Sequence, residues 1–196
     1  MSVSAGGRRV PVGVGAAAGA LAWLLGYLLT YVVTSGRIQE FQGSFLGQVA
    51  DLFGLEVPTW KVVGWVFYNA HFVDTAAGGG TGSAIVGDGG FTPLLYVVPP
   101  LVLLAAGLAV GRASGSGDAA TGAFAGASVL FGYLPLSVVG VFLFEATLAG
   151  TAVGPSLAPG MLLAGVLYPA VFGAVGAGVA ALTTGGSEGG SSAPRR

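Results

Sequence analysis

PTWKVVGWVFYNAHFVDT, residues 58–75, is the stretch on which the architecture turns. It holds the only histidine, His71, the only lysine, Lys61, and two of the three tryptophans, Trp60 and Trp65, together with Tyr68, Asn69 and Asp74. Its uncharged apolar run, residues 62–73, extends about 18 Å as a helix, against a hydrocarbon core of about 30 Å. The segment is too apolar for an ordinary loop and too short for a comfortable crossing. It reads as a short re-entrant or interfacial helix over 58–74.

The surrounding composition is that of a membrane protein. Of 196 residues, 54% are hydrophobic and 8% are charged, where a soluble domain carries about 25% charged residues. Thirty-seven glycines suit helices whose backbones approach closely. The absence of cysteine excludes a disulfide framework, a thiolate nucleophile and a cysteine metal cluster. A net charge of −1 provides no basic footprint for nucleic acid. One lysine against six arginines, among abundant Ala, Gly and Val, resembles haloarchaeal composition.

Outward from the opening stretch, the chain predicts an all-α polytopic bundle with a single transmembrane domain at 12–182. Residues 1–11 form a cytoplasmic tail. Arg8 and Arg9 before an apolar run suggest a twin-arginine signal, but the run exceeds a signal core of 7–15 residues and is retained as a span over 12–34. Gly15 and Gly19 stand there in GxxxG spacing. Gly13-x-Gly15-x-x-Ala18 also imitates a dinucleotide fingerprint, which needs a preceding strand that a membrane helix does not supply. Residues 37–54 carry Ile38, Phe41, Phe45, Val49 and Leu52 at steps of 3 and 4, an amphipathic helix. Residues 76–91 read as an exposed glycine-rich loop without the Lys-Ser/Thr of a P-loop. Further spans follow at 92–111, 119–146 and 158–182. Pro99, Pro100, Pro135 and Pro169 fall inside them as expected kinks, and Gly122 and Gly126 repeat the GxxxG spacing. Residues 183–196 have a disordered composition.

Charge sets the orientation but not the number of spans. With four spans and both termini cytoplasmic, Arg8, Arg9, Arg112, Arg195 and Arg196 lie inside, and Arg37 and Lys61 outside. With 58–74 as a fifth crossing, the N-terminus moves outside and the balance is again five to two. Length favours four. Both arrangements put the protein in the cell membrane with its C-terminus cytoplasmic.

The candidate functional cluster is Lys61, Trp65, Tyr68, Asn69, His71 and Asp74. His71 lacks the second histidine or cysteine that a metal site needs, so no metal or cofactor is expected. Asp74, Asn69 or a backbone carbonyl would satisfy its ring, and proton transfer is the sharper alternative. Lys61, Trp65, Tyr68 and Phe72 share a helical face, as an interfacial aromatic belt with a snorkelling lysine does; a quaternary-ammonium or lipid-headgroup site is the alternative. The spans hold no ionisable group apart from Glu145 at an end, which counts against ion-coupled transport.

The run WVFYNAHFVD, after an amphipathic segment and before a glycine-rich loop, resembles the shared core of small uncharacterised haloarchaeal multi-pass membrane proteins, a family with no assigned activity. The resemblance implies a membrane fold and no functional residues. The residues favour a non-enzymatic protein acting by helix–helix contact, through the lipid bilayer, as a homo-oligomer or with a membrane-protein partner. A transporter or channel for a small neutral solute is second, and an intramembrane enzyme third.

Overall fold

The computed structural model describes residues 3–5, 8–10, 12–83, 93–115 and 117–185. Four helical stretches are long and apolar enough to cross a membrane: Val12–Gly43, Pro93–Ser114, Ala119–Leu143 and Leu157–Thr183. The opening segment is helical only over Thr59–Asn69, about 17 Å, and is not one of them.

The fold is not all-α. A short antiparallel ribbon, β1 (Val3–Ala5) with β2 (Arg8–Val10), lies where a tail was expected. A four-stranded antiparallel sheet is built from the two loops expected to lack structure. Its order is β4 (Gly80–Gly82), β3 (Thr75–Ala77), β6 (Thr151–Pro155), β5 (Ala146–Leu148). Both of its hairpins turn in two residues. Gly78 and Gly79 have φ of +54° and +91°, and Ala149 and Gly150 have +46° and +80°. Positive φ at both turn positions gives the type I′ twist that matches paired strands. Pairing of Ala76 with Gly154 then joins the two hairpins, which lie far apart in sequence. The rest of the glycine-rich loop, 84–92, and the tail from 186 lie outside the described residues.

Helix α1, Val12–Gly43, does not stop at residue 34. Thr30 and Thr34 return their hydroxyls to the carbonyls of Gly26 and Thr30, at 2.9 and 2.7 Å, and no proline interrupts the ladder. The amphipathic pattern of 37–54 is therefore divided. Its first part completes α1, and α2 (Phe45–Leu52) begins anew at Ser44, whose Oγ accepts the Gly47 amide at 3.2 Å. Helix α3 is Thr59–Asn69. A 3₁₀ turn at Pro93–Val97 leads into α4, Val98–Ser114. Pro99 and Pro100 thus occupy the first α-helical turn, where a missing amide goes unneeded, so they open the α-helix rather than interrupt it. Asp118 caps α5 (Ala119–Ala127) by accepting the Thr121 amide at 2.9 Å. After a break at residues 128–129, α6 (Leu130–Leu143) carries Pro135 inside it. The last span opens with α7 (Leu157–Pro159), continues as a π-helix over Gly160–Leu167, and ends as α8 (Tyr168–Gly185), with Pro169 at the second residue of α8.

The chain divides into two compact units. The first comprises residues 1–22, 101–133 and 168–196, and small residues pack it. A Cβ added at Gly126 would stand 2.1 Å from the Gly173 carbonyl oxygen, and one at Gly122 2.9 Å from that of Ala177. On α1, the same addition at Gly15 would meet Ser128 at 1.8 Å, and at Gly19 the Val129 oxygen at 1.9 Å. All four GxxxG glycines face their own chain. The second unit, residues 23–100 and 134–167, holds α2, α3, the sheet and the π-helix.

Candidate functional site

Within the second unit, α3 is a buried helix rather than a surface belt. Val63, Val66, Phe67, Tyr68, Ala70 and Val73 are fully buried. Gly64 permits the approach of Phe144, the residue that follows α6: a Cβ there would lie 2.3 Å from its Cγ. Phe144 stacks on Tyr27 at 5.3 Å and on Trp23 at 6.2 Å, and Phe67 meets Trp23 edge-on at 5.3 Å. This aromatic core was not singled out in the sequence, where Trp23, Tyr27, Phe67 and Phe144 have no shared spacing.

The six candidate residues are brought to one short helix and its exit, but they do not converge on a common point. Lys61 Nζ donates to the Glu145 carbonyl at 2.6 Å and lies 5.4 Å from the Trp60 ring centroid. Trp65 Nε1 donates to the Phe144 carbonyl at 2.8 Å. Tyr68 is not at a surface; its hydroxyl donates to the Ser137 carbonyl. Burial holds that phenol above its ordinary range, with the Val141 amide pulling the other way. Asn69 is buried, and its Nδ2 donates to the Val73 carbonyl at 2.8 Å. Asp74 is exposed, and its backbone oxygen accepts the Ser156 amide at 2.9 Å.

His71 terminates α3. Its ring is fully buried, and Nδ1 lies 2.8 Å from the Phe67 carbonyl. A carbonyl only accepts, so Nδ1 carries the proton and donates. The His71 amide goes instead to Tyr68, at 2.9 Å, so the imidazole does for Phe67 what the next helical amide would have done. The Phe72 amide bonds Asn69 at 2.9 Å and the Val73 amide bonds Tyr68 at 3.1 Å. That pair is a Schellman closure with Phe72 in the left-handed position, φ +58°. Glycine usually occupies that position. Phe72 holds it while stacked on Tyr96 at 4.5 Å. Burial lowers the His71 pKa to about 4, and the hydrogen bond to Phe67 opposes the shift. The ring is therefore neutral at physiological pH. Among the described residues, no three His, Asp or Glu side chains gather to hold a metal.

Two features of this unit escaped the sequence reading. Trp23 Nε1 and Ser137 Oγ are buried without a hydrogen-bond partner. Nothing in the sequence marks them, because their exclusion from water is a product of packing. The second feature is an open cleft of about 610 Å³ where α1 ends. Ile38, Phe41, Val57, Val62, Trp65 and Leu148 line it, with Arg37, Glu40 and Glu56 also on its wall. Gln42 fixes its shape: Nε2 donates to the Val57 carbonyl at 2.7 Å, and Oε1 accepts the Thr59 hydroxyl at 2.8 Å.

No curated protein and no solved structure is significantly similar to the chain. A membrane-type helical set, a buried short helix closed by histidine and a small sheet are what the residues build. The match to one family profile runs over residues 2–184, nearly everything described here, and the chain accordingly belongs to the family of unknown function DUF7978.

Proposed function

We propose that the protein is a non-enzymatic component of the cell membrane, with its C-terminus cytoplasmic, that works by association, as a subunit of a larger assembly. One observation carries this reading. The side chains richest in chemistry donate to backbone carbonyls: Lys61 to Glu145, Trp65 to Phe144, Tyr68 to Ser137, Asn69 to Val73 and His71 to Phe67. Such bonds define a shape, and among these five side chains they leave no nucleophile–base pair poised over a substrate. The four GxxxG glycines face other parts of the same chain, so a partner, whether a second copy or another membrane protein, would be met by other surfaces. Crosslinking in native membranes is expected to trap a discrete larger species, and His71→Gln to leave it intact. A chain that crosslinks only as a monomer in those membranes would refute the proposal.

A second reading rests on Trp23 Nε1 and Ser137 Oγ. Unpaired polar atoms buried beside the proline-bearing α6 and a π-helix would suit passage of a small neutral solute. Solute flux in reconstituted vesicles, lost in Ser137→Val, would favour it.

A further inference from the structure

We infer that the cleft at the end of α1 holds one acyl chain of a phospholipid whose phosphate lies against Arg37. Depth is the first ground. Leu28, Leu29, Val32 and Val33 are exposed along α1, as a lipid-facing stripe must be. Arg37 follows Val33 by four residues, about 6 Å along the axis. A headgroup layer begins at the edge of the hydrocarbon and is about 5–7 Å thick on each side. Arg37 therefore stands at phosphate level when Val33 marks the hydrocarbon edge, and the cleft opens at that boundary.

Chemistry is the second ground. The wall formed by Ile38, Phe41, Val57, Val62, Trp65 and Leu148 is apolar. Its volume, about 610 Å³, lies within the range of about 300–1,000 Å³ typical of small-molecule sites. Filled with water, such a wall would forfeit the burial that a hydrocarbon chain supplies. Arg37 presents a planar donor fork that matches phosphate oxygens. Glu40 and Glu56 also line the cleft and repel phosphate, so they take the hydroxyl or ammonium donors beyond it on the headgroup. The chemical class is thus a two-chain phospholipid bearing hydrogen-bond donors. The cleft is held open before binding, because Gln42 ties the end of α1 to both Val57 and Thr59.

Native mass spectrometry of the full chain in detergent tests the assignment, with phosphatidylglycerol as the probe and the matching diacylglycerol and glycerophosphate as controls. Phosphatidylglycerol is expected to bind one per chain and glycerophosphate not to bind. Ala50→Trp and Leu148→Trp, each filling the cleft from a different side, should weaken phosphatidylglycerol at least tenfold with the melting temperature kept. Arg37→Gln should weaken it about tenfold, the scale of a charge-assisted hydrogen bond, and leave diacylglycerol unchanged. If either cleft-filling variant folds and still binds phosphatidylglycerol like the parent, the site is elsewhere and the inference fails. Equal loss of diacylglycerol in Arg37→Gln would overturn the phosphate assignment. A photocrosslinker replacing Trp65 in native membranes should capture lipid; capture of a peptide instead would overturn the proposal.

Discussion

Replacing Gly126 by alanine tests whether the small-residue stripes hold the chain itself together. The added Cβ would lie 2.1 Å from the Gly173 oxygen and 2.5 Å from the Ala177 Cβ. Ordinary contact begins near 3.4 Å, so α5 and α8 must separate by about an ångström, losing dispersion along their shared face. Overpacking of this kind costs about 1–3 kcal/mol. Helix propensity returns at most about 1 kcal/mol. Gly36 supplies the control: it is also helical, but nothing lies within 4 Å of its added Cβ, so Gly36→Ala should be neutral or stabilising by up to about 1 kcal/mol. The propensity term is common to both, so the two variants should differ by roughly 1–3 kcal/mol, or about 2–12 °C in melting temperature for a chain of this size. Thermal unfolding of the purified protein in one detergent reads this directly. Equal melting temperatures would refute the packing argument. A Gly126→Ala variant that loses only an oligomer, with the monomer's stability intact, would refute it too.

Other substitutions address the second unit. Because the folded His71 pKa is about 4 against an unfolded value near 6.5, the unfolded chain binds the proton more readily between those values. Stability should be complete above about pH 6.5 and fall towards pH 4 by up to about 3 kcal/mol; melting curves at stepped pH should show this slope, and His71→Gln should flatten it. His71→Leu leaves the Phe67 carbonyl without the ring donor and should cost about 1–3 kcal/mol at neutral pH, measured by the same melting curves. Ala149 occupies a left-handed position at φ +46°, so Ala149→Asn, which creates an Asn-Gly turn, should raise stability by about 1 kcal/mol. An unchanged or lower melting temperature would show that the turn is not strained.

The long helices were legible because hydropathy over some twenty residues has few other solutions. His71 was legible as satisfied by Asp74, Asn69 or a backbone carbonyl, of which the Phe67 carbonyl is used, and the segment around it as a short apolar helix. Its depth was not. A surface belt and a core helix place Lys61, Trp65 and Tyr68 at the same spacing, and only the fit of Gly64 against Phe144 distinguishes them. The sheet was missed for a different reason. Gly78-Gly79 and Ala149-Gly150 are turn signals, but their flanking strands of three to five residues are too short for alternation to emerge. What stabilises them is the pairing of β3 with β6, a contact between residues such as Ala76 and Gly154 that lie far apart in the chain, which no local window contains. The end of α1 was misplaced because an apolar stripe and an amphipathic one can share a single uninterrupted helix. The cleft depends on that continuity, so it too was out of reach.

The central claim is that α3 does not cross the membrane and that the sheet joins two segments on the same side. Single cysteines at Gln48, Thr81 and Thr147, all exposed, and one at Ala113, exposed in the last turn of α4, test it in a chain that has no cysteine of its own. With an impermeant thiol reagent on intact cells, positions 48, 81 and 147 should label together, and position 113 only after the membrane is opened. Labelling of 81 and 147 without 48 would mean that residues 58–74 cross, and would contradict the account.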